Sequence, residues 1–278
     1  MQIRYPGGLR KALTLSYDDG VEQDEKLLEI LDKHGLKTTL NLNSGCFPPE
    51  GTVWPEGQIH RRLTKSAAKE VYGKAIEHGH EVAVHCLTHE SLTELPDEAV
   101  VTQIMEDRKG LEKLFGGVIR GAAYPYGTWN PRVMEDLRRC GIDYCRTVQS
   151  THDFWIPADF LSLHPTCHHA DPKLMELADR FTGDNGWNCM LFYLWGHAYE
   201  FEAADNWDVI EKFAERIGGR EDIWYCTNIE VVDYVNAYRK LRASADMRTW
   251  YNPTDREIWF THDGKMYTVG SGETVTVE

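Results

Sequence analysis

The chain lacks the features of several protein classes. No apolar run approaches the roughly 18 residues that a membrane-spanning helix needs; the strongest is "MLFYLW" at 190–195. Basic residues are scarce, with 30 Lys and Arg against 44 Asp and Glu and a net charge of −14. Nucleic-acid backbones and anionic bilayers are held mainly by Lys and Arg, so neither is an expected partner. The seven cysteines (46, 86, 140, 145, 167, 189, 226) are odd in number and form no CxxC pair, which reads as reduced and mostly buried thiols. The opening "MQIRYPGGLRKALTLSYDDG" carries no apolar secretory segment. If Met1 is the native start, a cytoplasmic location is expected. No internal repeat and no low-complexity linker is visible.

What remains is an ordinary globular composition, 42% hydrophobic and 27% charged over 278 residues, long enough for a sizeable core. Short apolar runs alternate with helical patterns. "VEQDEKLLEILDKHGLK" places Leu27, Leu28, Ile30 and Leu31 at helical spacing and closes on Gly35. "NPRVMEDLRRCG" has Asn130 as N-cap and Pro131 in the first turn, and Asp171 caps "DPKLMELADRF". About seven strand–helix units follow one another, which predicts an α/β fold with a parallel sheet closed as a (β/α) barrel over residues 1–245. The stretch 246–278 alternates apolar and polar residues about "HDGK" and is expected to form a small β appendage, covering the barrel's base or pairing between subunits. Residues 44–63, with three prolines and Trp54, form a long loop of the kind that tends to be functional.

In a βα barrel the chemistry gathers at the C-terminal ends of the strands. "LTLSYDDG" (13–20) ends a buried strand in Asp18 and Asp19, two acids whose mutual repulsion asks for a positive partner. Other strands bring Asn43 and Ser44, His85 and His89, "YPYG" (124–127), Trp195 and His197, and Thr227, Asn228 and Glu230 to the same rim. His85 and His89, four residues apart, share a face if the chain makes a helical turn after the strand. Alone, such a pair is most often a solvated turn. Beside the acids it reads as a divalent-cation site of Asp19, His85 and His89, zinc first, with cobalt, nickel or manganese as alternatives. Asp18 is then left as a general base for water, and His197 across the rim as an acid for the leaving group. The plainer reading of His197 is a core histidine below Trp195.

These residues, in this order, resemble the polysaccharide deacetylase family, carbohydrate esterases built on a nodulation-factor deacetylase-like domain. The resemblance rests on Ser16-Tyr17-Asp18-Asp19-Gly20, on the pair His85 and His89, on Pro125-Tyr126-Gly127 and on the strand-end His197, and covers roughly residues 10 to 240. It implies a distorted (β/α) barrel with one divalent metal on Asp19, His85 and His89. It also implies Asp18 as base, His197 as acid, and an oxyanion site marked by the backbone amide near Tyr126, with Pro125, Asn43 and Trp195 as further substrate-side residues. Two departures stand out. An arginine that many members carry near the base is replaced here by Ala123, and Arg120 is too far along the strand to be assumed a substitute. The acid that braces the catalytic histidine has two loose counterparts, Asp153 in "HDFW" and Glu200.

The expected activity is removal of an N- or O-linked acetyl group from an acetylated carbohydrate by water activated on the metal. The alternatives are hydrolysis of a small linear or cyclic non-sugar amide on the same barrel, and an inactive carbohydrate-binding protein. "LHPTCHHADPKL", with His164, Cys167, His168 and His169, is either a further rim contact or a loop that caps the following helix. Of Trp54, Trp129, Trp155, Trp187 and Trp195, one or two are expected to line the pocket and the rest to pack.

Overall fold

A computed structural model describes residues 1–278. In chain order the strands are β1 (Gln2–Arg4), β2 (Lys11–Asp18), β3 (Thr38–Leu42), β4 (Glu81–Val84), β5 (Gly121–Ala123), β6 (Tyr144–Arg146), β7 (Cys167–His168), β8 (Met190–Gly196) and β9 (Ile223–Tyr225), followed by β10 (Arg242–Ala243), β11 (Thr249–Tyr251), β12 (Ile258–His262), β13 (Lys265–Val269) and β14 (Thr274–Thr276). The helices are α1 (Asp24–Lys33), α2 (Lys65–Glu77), α3 (Asp97–Phe115), α4 (Pro131–Arg139), α5 (Leu174–Gly183), α6 (Ala198–Ala203), α7 (Asp208–Ile217) and α8 (Asn228–Arg239).

Strands β2 to β9 are all parallel and run in the order β6-β5-β4-β3-β2-β8-β7, with β9 also against β2. The sheet curls until its edges meet. Arg146 of β6 bridges Leu163, and Thr166 N–H donates to Tyr193 O of β8, so the stretch leading into β7 closes a distorted (β/α) barrel. The expected architecture is the observed one, with the long strand β2 at its centre and buried along its whole length.

The alternation in β2 sorts its side chains between two environments. Leu13, Leu15 and Tyr17 join the main hydrophobic core. Thr14, Ser16 and Asp18 point into the barrel and are hydrogen-bonded there: Thr14 donates to Asn228 Oδ1 at 2.8 Å, and Asn41 Nδ2 donates to Ser16 Oγ at 2.6 Å and to Asp18 Oδ1 at 2.8 Å. The interior is therefore a polar ladder leading up to the acid. Asn130 caps α4 as its sequence predicts, accepting from Val133 N–H. α5 starts three residues after Asp171, whose Oδ1 accepts from Lys173 N–H in the preceding turn.

The terminal hairpin forms where expected, β12 turning into β13 through Asp263 and Gly264, both at positive φ as a tight two-residue turn requires. Its other edge is occupied: β1 pairs antiparallel with β12, joining Gln2–Arg4 to Trp259–Thr261. The strands β10, β11 and β14 make a separate three-stranded sheet. A second hydrophobic cluster combines these terminal strands with Tyr5, α8 and the base of the barrel. No helix is long and apolar enough to cross a membrane, and all seven cysteines are free thiols.

Candidate active site

Asp18 is the last residue of β2 and fully inside the barrel mouth. The next residue leaves the strand at φ 82 and Gly20 follows at φ 71, so Asp19 is lifted onto the rim beside its neighbour. A non-glycine residue at positive φ is strained, and here the strain places a carboxylate where a strand would not.

The two histidines reach Asp19 by a different route from the one expected. Residues 85–89 form no helical turn; Cys86 and His89 both adopt positive φ, and the chain folds back so that the two rings stand 4.7 Å apart. Asp19, His85 and His89 each offer one ligand atom, all within 4.8 Å of one another. His85 Nδ1 lies 2.9 Å from Ala123 O. A carbonyl only accepts, so Nδ1 carries the proton and Nε2 is bare toward the two acids, 3.8 Å from Asp18 Oδ2 and within 4.8 Å of the Asp19 carboxylate, the tautomer a metal ligand needs. Burial holds both imidazoles neutral, His85 below its ordinary pKa and His89 down to about 4, with the neighbouring His85 adding to the shift in His89. These residues fit a divalent cation.

Asp19 is also held from behind by the long loop. Arg62 Nη2 is 2.8 Å from its Oδ1, Arg62 Nη1 donates to its backbone oxygen at 2.6 Å, and His60 Nε2 is 3.1 Å from Oδ2. Burial alone would raise this carboxyl, but His60, His85 and Arg62 outweigh it and hold Asp19 well below the usual range. Under the loop, the buried carboxylate of Asp107 accepts from the backbone N–H of Ser44 and of His85. His60, Arg62 and Asp107 stand in no strand-end motif of the sequence, and only the folded loop and α3 bring them to the site.

Ala123 is where the arginine is absent, and its register partner across the sheet is Arg146. Arg146 is completely buried, stacks at 4.3 Å under Trp195 and donates from Nη2 to Asp18 Oδ2. The missing guanidinium is supplied one strand further along. Burial raises the Asp18 carboxyl, but Arg146 first, then His85 and His197, outweigh it, and Asp18 stays below its ordinary pKa. Arg120 is elsewhere, paired with Asp143 and Asp233.

His197 follows β8 and precedes α6, with Nε2 3.7 Å from Asp18 Oδ2 and Nδ1 3.3 Å from Glu200 Oε1. Burial lowers its pKa, yet Glu200 and Asp18 more than compensate and its pKa is raised. Of the two candidate braces, the structure brings Glu200 to His197 and places Asp153 against Trp155 Nε1 at 2.5 Å. Asp18, Asp19, His85, His89, Tyr126, Trp195, His197 and Tyr199 line one solvent-open cleft of about 550 Å³. Tyr126 is 66% exposed at its edge, at φ 58, with Pro125 buried behind it.

Other rim expectations resolve differently. Asn43 is buried, donating to the backbone oxygens of His85 and Cys86 and accepting from Arg62, so it holds the histidine turn and does not line the cleft. β9 pairs only with Lys11–Leu13 at the start of β2, and the residues after it therefore sit well below the rim. Thr227 and Glu230 cap α8, and Asn228 bonds Thr14 and Tyr193 in the interior. Trp195 is in the cleft wall, whereas Trp155 and Trp187, 69% and 74% exposed, flank a separate cavity near the start of β8.

A distorted (β/α) barrel with a carboxylate, an imidazole and an Asp-His-His cluster at one strand-end cleft defines a class of hydrolase-like barrels. Within that class the chain belongs to the polysaccharide deacetylase family, whose model matches residues 7–145, half of its length. No curated protein matches it in sequence. Solved structures share the fold. A Mycobacterium smegmatis protein held to be a polysaccharide deacetylase is 16% identical, with 86% of this chain and 94% of that one covered and a TM-score of 0.59. The Xyl-CE4 domain of a multidomain xylanase from the hindgut metagenome of Trinervitermes trinervoides is 14% identical over 82% and 92%, TM-score 0.53. Peptidoglycan deacetylase PdaC from Bacillus subtilis is 18% identical over 83% and 94%, TM-score 0.50.

Proposed function

We propose that the chain is a cation-dependent hydrolase that removes acetyl groups from an acetylated carbohydrate. The observation that carries this reading is the pairing of Asp18 and His197 across the cleft that also holds the Asp19, His85 and His89 cluster. When bound there, a divalent cation, zinc first, supplies Lewis-acid polarisation and a lowered pKa for water.

The chain's own residues do the rest. Asp18, kept ionised by Arg146 and oriented by Asn41, accepts the proton of the attacking water through its carboxylate. The backbone at Tyr126, held in a left-handed conformation at the cleft edge, faces the developing oxyanion. His197, its protonated form favoured by Glu200 and Asp18, donates from Nε2 to the departing amine or alcohol oxygen. Trp195, stacked on the buried Arg146 guanidinium, closes one wall of the cleft.

The test is acetate release from N-acetyl and O-acetyl sugars, with metal content measured in parallel. Chelation should abolish turnover and zinc should restore it. Asp18→Asn should keep the metal while turnover falls roughly 10²- to 10⁴-fold. Bound metal with no acetate from either panel would move the reading to a non-sugar amide substrate.

A further inference from the structure

Glu200 is shared by three imidazoles. Its Oε1 faces His197 Nδ1, while Oε2 lies 3.1 Å from both His168 Nε2 and His169 Nε2 and also accepts the backbone N–H of His197 at 3.3 Å. His168 is the last residue of β7 and His169 the next. Neighbouring side chains in a strand diverge; here the chain leaves the strand, and the two rings stand 4.4 Å apart on one carboxylate oxygen.

Two imidazoles and a carboxylate at this spacing also meet the distance requirement for a cation, so the tautomers have to decide. His168 Nδ1 accepts the N–H of Ala170 at 3.1 Å. A neutral imidazole has one N–H, which must then be on Nε2, and the lone pair a metal would take is absent. His85, with Nδ1 donating and Nε2 bare, is the opposite case. His169 agrees with His168. Its Nδ1 is buried with no partner against Gly196, where a Cβ would come within 2.1 Å of it. Its ring stacks 4.0 Å from Phe201. A proton on Nδ1 would be stranded, whereas one on Nε2 reaches Glu200.

We propose that His168 and His169 are positioning residues: with Nε2 of each 3.1 Å from Oε2, they fix the Glu200 side chain so that Oε1 stays beside His197 Nδ1, 3.3 Å away, and the His197 ring keeps its Nε2 toward Asp18 and the leaving group. The inference rests on His197 being the acid. In the same contacts, burial would raise the Glu200 carboxyl, and the three imidazoles together hold it well below the carboxylate range.

His168 is partly exposed and can be changed with less risk to the fold than buried His169. His168→Phe keeps a ring and removes the donor; His168→Gln keeps an N–H within reach of Oε2. Expected are a loss in kcat of roughly 10- to 100-fold for His168→Phe with KM and metal content unchanged, and recovery of most of that loss in His168→Gln. Equal losses in both variants, an unchanged kcat in His168→Phe, or a second equivalent of zinc in the wild type that His168→Phe loses would each overturn the proposal. Long-range proton–nitrogen spectra of the imidazoles in the zinc-loaded protein provide a readout without substrate. An Nε2–H tautomer at His168 supports the proposal even if no acetyl sugar is turned over, and an Nδ1–H tautomer overturns it.

Discussion

At the scale of single residues, the informative position is Ala123. Its methyl group cannot do what an arginine does, and the neighbouring strand compensates because parallel register sets Arg146 beside it. Removing one member of a buried ion pair leaves the other charge unpaired, at a cost of about 3–5 kcal/mol. Arg146→Ala should therefore lower stability by about that amount and depress turnover, read by denaturant unfolding and acetate release. Register partners on adjacent strands project to the same side of the sheet, so Ala123→Arg in the Arg146→Ala background should recover part of both losses. No recovery would mean that the position of the guanidinium, and not its charge alone, is what Asp18 requires. Gly196 gives a second case. A Cβ there would overlap His169 Nδ1, and Gly196→Ala should cost about 1–3 kcal/mol by overpacking and lower kcat through the displaced ring, measured by the same two assays.

At the scale of elements, Glu81 joins four of them. From the start of β4 it accepts from Thr39 of β3, Tyr144 of β6 and the Ile229 N–H in the first turn of α8. Burial pushes its pKa up to about 7, beyond what these three donors offset. A carboxyl raised on folding contributes most stability below its unfolded pKa and loses it as pH climbs through the folded one. The window here runs from 4.5 to about 7. Glutamine stays neutral throughout, can accept from Thr39 and Ile229, and can donate to the tyrosine oxygen. Between pH 4 and pH 8 the stability of Glu81→Gln should therefore gain on the wild type by about 3 kcal/mol, read as the difference between two denaturation series. A difference independent of pH would show that Glu81 is not neutral in the fold.

Elements also mark how far the sequence could be read. The alternation of β2, the Asn130 cap and the Asp263-Gly264 turn are local signals, and each was legible. Asp18, Asp19, His85, His89 and His197 were legible as a set because four of them end a strand or directly follow one, and His89 comes four residues after His85. Arg146, Arg62, His60 and Asp107 were not, since each reaches the site through the register of a neighbouring strand, an irregular loop or a turn of helix well away in the chain. The turn carrying His85 and His89 was misread for a related reason: positive φ at Cys86 and His89 is imposed by the surrounding contacts and has no glycine to announce it. Thr227, Asn228 and Glu230 follow a strand as the others do, and only the offset pairing of β9 with the start of β2 shows that they stop short of the rim.

At the scale of the whole molecule, the question is whether residues 246–278 are an addition to a finished barrel. Their packing argues that the barrel is unfinished without them. Ile258, Phe260, Val269 and Val277 are almost fully buried, and they share a cluster with Tyr5, Val231, Val232, Tyr234 and Val235. Tyr234 of α8 ties the two ends of the chain, donating to Arg4 O at 2.7 Å and accepting from Trp259 N–H at 3.0 Å. Each such apolar side chain contributes about 1.5–3 kcal/mol when buried, so four of them amount to much of the 5–15 kcal/mol that typically holds a fold together. Their removal would also bare the face of α8 and leave β1 without its partner strand, an open edge suited to aggregation. A chain ending at residue 256 should accordingly fail to show a cooperative thermal transition and should release no acetate, although the cleft lies at the opposite end of the barrel. The full chain should unfold in one transition. A truncated chain that unfolds at the wild-type midpoint and keeps its turnover would mean that the terminal strands are dispensable and that the second cluster is closed by α8 and the barrel base alone.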